Sequence, residues 1–175
     1  MTLPDVFLTL GSNIEPKVNL QKAVDLLRTQ CEVLAISSVY RTAPQGFHHQ
    51  PDFLNMAVKL HTTLSANELK TDVLSEIERQ LKRVRDPNNK NAPRTIDLDI
   101  ALWGCQIFAY GQKPWHVPDA DILRFAHVAI PLAEIAPDFV HPTEKKTLAE
   151  IAARFEMNGI TRTTITISIH DEKRE

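Results

Sequence analysis

Two stretches of strict alternation constrain the fold of this chain more than any other feature. From residue 53, Leu54, Met56, Val58 and Leu60 fall on one face of a strand and Phe53, Asn55, Ala57 and Lys59 on the other. Over residues 95–103, Ile96, Leu98, Ile100 and Leu102 alternate with Thr95, Asp97, Asp99 and Ala101. Successive side chains of a strand point to opposite faces, so each stretch has one core face and one face free for other work. Between them, Ser65 and Glu68 have the spacing of a capping box. Leu69, Val73, Ile77 and Leu81 then recur at intervals of four along a helix that must end before Pro87. A polar loop, DPNNKNAP, leads into the second strand.

The apolar run of residues 6–10 ends in Gly-Ser-Asn and reads as a buried strand. A helix follows from about Pro16, with Leu20, Ala23, Val24 and Leu27 on one stripe. Residues 33–40 are rich in β-branched and apolar types and form another strand, while residues 43–52, with Pro44, Gly46 and Pro51, form a loop. The order β-α-β-β-α-β is that of a ferredoxin-like α+β sandwich with a mainly antiparallel sheet. Beyond it, Pro114, Pro118, Pro131, Pro137 and Pro142 mark loops and short helices packed on the core, and residues 146–155 read as helix. Ile165, Ile167 and Ile169 alternate with Thr164, Thr166 and Ser168, which predicts a terminal strand before the charged tail DEKRE. No repeat or linker divides the 175 residues, so one domain is expected over 1–175, with 156–175 as an extra strand and tail.

Composition removes several function classes. At 43% hydrophobic and 24% charged residues the chain is globular. Its five glycines lie too far apart to write either G-x-G-x-x-G or G-x-x-x-x-G-K-[ST]. Cys31 and Cys105 match neither a zinc spacing nor a C-x-x-C motif, and the seven histidines supply no H-E-x-x-H. There is no G-x-S-x-G elbow. The amino terminus lacks a leader pattern and no apolar run approaches the roughly 20 residues of a membrane span, so a cytoplasmic location is expected.

Three constellations carry chemistry. Asp97 and Asp99 share the non-core face of their strand, roughly 6.6 Å apart at Cα. At an effective dielectric near 20 two such charges repel by about 3 kcal/mol, so a cation belongs between them. The open readings are Mg²⁺, which is held by one or two carboxylates plus substrate phosphates, a solvated pair, or a salt-bridge network with Arg94 and neighbouring arginines. Next, Arg79, Lys82, Arg83, Arg85, Lys90 and Arg94 stand against the single acid Asp86, so that segment carries +5 and the rest −7 of the total −2. Such a cluster either clamps a polyphosphate or forms a solvated helix face with Glu78 and Lys82 paired at i, i+4. Its contiguity with the paired carboxylates favours the clamp. Last, Asn55 beside Phe53, preceded by Thr42-Ala-Pro-Gln-Gly46, either lines a pocket, with amide donors and an acceptor for a heterocycle edge and a ring to stack on, or belongs to the core; a mid-strand amide needs partners when buried, which favours the pocket.

These pieces resemble the 6-hydroxymethyl-7,8-dihydropterin pyrophosphokinases of folate biosynthesis: LGSN at Leu10 to Asn13, YRTAPQG at Tyr40 to Gly46, QPDFLN at Gln50 to Asn55, Glu78 with RVR at Arg83 to Arg85, PRTIDLDI at Pro93 to Ile100 and PLAEIAPD at Pro131 to Asp138, in order over about residues 5–150. The resemblance implies a ferredoxin-like enzyme that transfers pyrophosphate from ATP to the pterin hydroxymethyl group and releases AMP. It implies that Asp97 and Asp99 hold two Mg²⁺ ions, that Arg83 belongs to a mobile catalytic loop, and that Arg94 acts in catalysis. Glu78, Arg85, Arg94 and Ile100 would lie against ATP. Thr42, Ala43 and Asn55 would read the pterin edge, with Phe53 stacking on its ring.

The chain departs from that family pattern in one half of the site. The loop DPNNKNAPR lacks the usual tryptophan and places Ala92 where a glycine is expected. Asp119, Phe125 and His127 stand where the family places a histidine, an arginine on the phosphates and an aromatic over the pterin. Arg124 is expected to take the arginine's role from one residue earlier, and His127 to stack as an imidazole. The expected partners are ATP and a reduced pterin alcohol, without nucleic acid or membrane, with the chain acting as a monomer. A weakened pterin- or nucleotide-binding relative is the alternative. A nucleic-acid-binding module is disfavoured by the −7 outside the basic segment.

Overall fold

Both faces of one sheet are covered with helices, and this layering decides where a ligand can enter. The structure is a computed structural model that describes residues 2–46, 48–157 and 159–169. In chain order its elements are β1 (Val6–Ser12), α1 (Pro16–Gln30), β2 (Glu32–Ile36), β3 (Tyr40–Thr42), β4 (Phe53–His61), α2 (Ala66–Glu68), a π-helical segment (Leu69–Leu74), α3 (Ser75–Gln80), β5 (Asp97–Trp103), β6 (Phe108–Tyr110), β7 (Trp115–Val117), α4 (Ala126–Ile135), α5 (Leu148–Ala152) and β8 (Ile160–Arg162). The main sheet runs β5-β1-β4-β3-β8, with β2 also on β4, and every pairing is antiparallel. Strand order and connections are those of the ferredoxin-like α+β fold. β6 and β7 form a separate hairpin.

On one face, Leu8, Leu10, Leu54, Met56, Val58, Leu60, Leu98 and Ile100 pack against α1 and the helix of residues 66–80. On the other, Phe7, Ala57 and Ala101 meet Val128, Ala129 and Leu132 of α4 and Leu148 and Ile151 of α5. That second layer covers only one end of its face. At the other end lie Gly11, Asn55 and Asp97, uncovered by apolar packing.

The predicted capping box forms: Ser65 N–H donates to Glu68 Oε2 (2.8 Å) and Glu68 N–H to Ser65 Oγ (3.2 Å). The spacing of four that follows explains the π segment. On an ideal α-helix each four-residue step drifts by about 40°, or about 120° from Leu69 to Leu81. A wider turn cancels that drift, and Leu69, Val73, Ile77 and Leu81 all stay buried.

Three expectations are corrected. Leu102 does not continue the Ile96 face: Leu8 faces Ile100 but Phe7 faces Leu102, so Ala101 is an extra residue in β5. The bulge reverses the alternation and sends Leu102 into the second core and Trp103 into the first. The strand expected over residues 33–40 is two pieces, β2 and β3. Between them Ser37 takes over the pairing, its N–H donating to Ala57 O (2.9 Å) and its Oγ accepting from Ala57 N–H (2.8 Å). The terminal strand is residues 160–162, paired with β3, and not 165–169. Ile165, Ile167 and Ile169 do face the core, but the backbone there bonds to a side chain of α1: Gln21 Nε2 donates to Ser168 O (3.0 Å) and Ser168 N–H to Gln21 Oε1 (2.9 Å). The tail DEKRE lies outside the described residues. Among those described, no helix is long and apolar enough to cross a membrane.

Candidate active site

The uncovered end of the sheet is built from directly opposed residues of three strands. Gly11 of β1 faces Asn55 of β4 on one side and Asp97 of β5 on the other, and Thr9 likewise stands between Ala57 and Asp99. Opposed Cα atoms are about 5 Å apart, which sets Asn55 and Asp97 about 10 Å apart across a floor with no side chain at its centre. A Cβ on Gly11 would come within 3.3 Å of Asn55 Oδ1, so glycine keeps that floor low. Above it lies a cavity of about 240 Å³ lined by Thr42, Ala43, Phe53, Asn55, Arg94 and Asp97, together with Asp121, Phe125 and His127. A second cavity, about 100 Å³, shares Gly11, Asn55, Asp97, Asp121 and His127 with the first and adds Asp99 and Asp119.

The structure thus brings the amide and aromatic half together with the carboxylate half. Asn55, 6% exposed, donates from Nδ2 to Thr42 Oγ1 (2.8 Å), leaving its carbonyl oxygen on the floor beside Gly11. The Arg94 guanidinium lies 5.7 Å from the Phe53 ring centroid and 3.2 Å from Asp97 Oδ2, bridging the two halves. The polar loop supplies its support: Lys90 O and Ala92 O accept from Arg94 Nη2 (2.6 Å) and Nε (3.3 Å). His127 stacks on Phe125 at 5.2 Å, and burial lowers its pKa, so the ring is neutral at neutral pH.

The two aspartates are paired with cations. Asp97 Oδ1 accepts from Arg83 Nη1 (3.2 Å), and Asp99 Oδ1 pairs with Lys70 Nζ (3.1 Å). Burial first, then Asp97 and Asp119, push the Asp99 carboxyl up to about 7, with Lys70 opposing. Burial also raises Asp119, and Asp99 and Asp119 add to the burial that raises the Tyr110 phenol from the hairpin side. This excess of negative charge in one small cavity is a fit for a divalent cation with hard oxygen donors. Among the described residues no three His, Cys, Asp or Glu side chains form a metal-holding group, so protein donors alone do not complete a coordination shell.

Of the basic cluster, Arg83 has only its side chain buried, at 7% exposed, and donates to Ile96 O (2.7 Å) as well as to Asp97. Glu78 makes no pair with Lys82: it is buried, accepts from Leu98 N–H (3.3 Å) and holds Arg85 Nη2 at 2.8 Å. Arg79 pairs with Glu76 on the helix surface, away from the cleft. Arg124 is not brought into the cleft; it is 69% exposed and 3.9 Å from Asp121. The Ile100 side chain lies in the core, so this residue can meet a ligand only through its backbone. β5 is an edge strand, and Leu98 turns both its N–H and its C=O off that edge, toward Glu78 and Lys70. Two residues on, the amide of Ile100 points the same way.

Sequence reasoning missed Gly11 as the floor, Asp121 as a lining carboxylate, Lys70 as the partner of Asp99, and Asn13 as a splice. Asn13 is 3% exposed; its Oδ1 accepts from Arg94 N–H (2.8 Å) and its Nδ2 donates to Gln50 Oε1 (2.7 Å) and Pro51 O (3.1 Å). Only its place at the end of an apolar strand hinted at this.

Comparison with known proteins supplies the relatives of this chain. The family profile described as 7,8-dihydro-6-hydroxymethylpterin-pyrophosphokinase (HPPK) matches residues 7–137. The 2-amino-4-hydroxy-6-hydroxymethyldihydropteridine pyrophosphokinase of Pseudomonas aeruginosa is 36% identical over 160 residues, covering 90% of this chain and 95% of that protein. The protein of the same description from Methylorubrum extorquens is 38% identical over 160 residues, 89% of this chain and 96% of the relative. Among solved structures, Plasmodium falciparum HPPK-DHPS, wild type, superposes with a TM-score of 0.72 at 12% identity, over 92% of this chain and 48% of that one. The chain spans about half the length of that solved protein, and at this identity the likeness is one of fold.

Proposed function

The chain belongs to the 7,8-dihydro-6-hydroxymethylpterin-pyrophosphokinase family, and we propose that its cleft carries out that family's reaction, moving pyrophosphate from ATP to the hydroxymethyl group of the reduced pterin. The observation that carries this reading is the row Asn55–Gly11–Asp97, which sets a heterocycle-reading amide and a metal-type carboxylate on one floor.

In this account the pterin lies over Gly11, its polar edge on Asn55 and the backbone of Thr42 and Ala43, its ring against Phe53, with the neutral His127 stacking opposite. ATP enters along the free edge of β5, where the Ile100 backbone meets its base and Arg85, itself held by Glu78, faces its phosphates. Asp97 and Asp99 would hold two Mg²⁺ ions, which would supply charge neutralisation of the phosphates and polarisation of the β-phosphorus. The hydroxymethyl oxygen then attacks that phosphorus in line, the bond to the α-phosphate oxygen breaks so that AMP leaves, and the hydroxyl proton passes to solvent. Arg83 and Arg94 stand on the Asp97 side of the cleft, where guanidinium forks can take the charge that develops on the transferring group. All these groups come from one chain, and we read the monomer as the working unit.

The test is direct: protein, ATP, Mg²⁺ and the reduced pterin alcohol are incubated and AMP is measured. AMP formed only when all are present supports the reading, and its absence at saturating substrates overturns it.

A further inference from the structure

Among the described residues, Lys70 is the one buried cation of the site that no sequence motif pointed to. It is 6% exposed, and the π segment places it there: the Lys70 carbonyl accepts from Ser75 N–H, five residues on, and from Ser75 Oγ (2.8 Å). On an ideal α-helix the residue after Leu69 lies about 100° from the core stripe. π turns of this kind recur at functional sites. The ammonium donates to Leu98 O (2.8 Å), pairs with Asp99 Oδ1 (3.1 Å) and sits 5.5 Å from the centroid of a Trp115 ring.

Stability is a poor reason for such a residue. Ordering a lysine costs rotamer entropy, and burying its charge costs more, whereas an apolar side chain beside Leu69, Val73 and Leu74 would pack with little of either cost. An edge carbonyl such as Leu98 O does not require a charged donor. What the charge does serve is Asp99, which stands beside Asp97 in a cavity it shares with Asp119. Asp97 is gripped by two guanidiniums, and Lys70 is the group that fixes Asp99.

We propose that Lys70 is a positioning residue that, through its charge, holds the Asp99 carboxylate at the edge of β5 in the orientation a divalent cation needs. The proposal rests on the reading of Asp99 as a metal-holding carboxylate. Outer groups that fix a metal ligand are worth 10–100-fold in metal affinity.

The experiment measures Mn²⁺ binding by electron paramagnetic resonance, with a non-hydrolysable ATP analogue present, for wild type, K70M, K70Q, D99N and K70M/D99N. K70M and K70Q each weaken Mn²⁺ about 10–100-fold and lower kcat with little change in the KM for ATP. The double variant binds no worse than D99N, because Lys70 acts only through Asp99. K70Q keeps a donor for Leu98 O without the charge, so it serves should K70M fail to fold. Wild-type Mn²⁺ affinity in a folded lysine variant, or additive losses in the double variant, overturns the role of Lys70. Wild-type affinity in D99N overturns the metal reading itself, a distinct result.

Discussion

Replacing Asp97 by alanine separates the structural from the catalytic consequences of the central carboxylate. Asp97 is 30% exposed at its side chain and carries two ion pairs of 3.2 Å, to Arg83 and Arg94, whose side chains are 7% and 16% exposed. Each pair is worth about 5 kcal/mol of gross attraction at an effective dielectric of 20. Desolvation offsets most of that, and stripping one partner from a fully buried pair costs about 3–5 kcal/mol. Here Asp97 is partly solvated and Arg83 keeps Ile96 O at 2.7 Å and Glu78 at 3.9 Å, so the expected loss is smaller, about 2–3 kcal/mol. For a chain of this size that lowers Tm by about 4–12 °C. Asp97→Asn keeps an acceptor for one of the two arginines and loses less stability. Turnover is abolished in both variants at a temperature where both are folded. Thermal unfolding by circular dichroism and AMP formation at 20 °C are the two assays. An unchanged Tm in Asp97→Ala refutes the energetic argument, and wild-type AMP formation in both variants refutes the assignment of Asp97 to the metal.

Asn13→Ala removes three hydrogen bonds at a 3% exposed site and costs about 3 kcal/mol, read as a lower urea midpoint at constant m; an unchanged midpoint contradicts the splice. Asn55→Ala weakens pterin binding about 10–100-fold in calorimetry, from the loss of hydrogen bonds in a buried pocket, and leaves the affinity for an ATP analogue alone; equal losses for both ligands would place Asn55 elsewhere. Metal affinity should rise with pH through about 7, because the Asp99 carboxyl is pushed up to about 7 and must be ionised to ligate. Its contribution to stability has the opposite sign. Between the usual carboxylate value near 4 and about 7 the folded chain binds a proton that the unfolded chain has released, so that contribution falls as pH rises through the window. A flat metal-affinity profile from pH 5 to 8 contradicts the assignment.

The layout of strands and helices was legible because burial on a sheet face writes itself as period two. Asp97, Asp99 and Asn55 were legible for the complementary reason, as polar residues at positions where that period demanded none. The failures have physical causes. One extra residue at Ala101 inverts the alternation downstream, and nothing in residues 95–103 marks where it sits. Ile165, Ile167 and Ile169 do face the core, but alternation reports burial and not ladder pairing, and Gln21 supplies the backbone partners that a neighbouring strand would have given. Lys70 and Gly11 were silent: one depends on a π turn that shifts helical phase, the other matters through the side chain it lacks.

The central claim concerns which phosphorus is attacked, and ³¹P nuclear magnetic resonance of the complete reaction tests it most directly. The account predicts that ATP and the pterin alcohol give AMP and a pterin carrying a diphosphate ester, with Mg²⁺ required and with no turnover in Asp97→Asn. Formation of ADP and a pterin monophosphate, or of AMP and free pyrophosphate with the pterin unchanged, would contradict it.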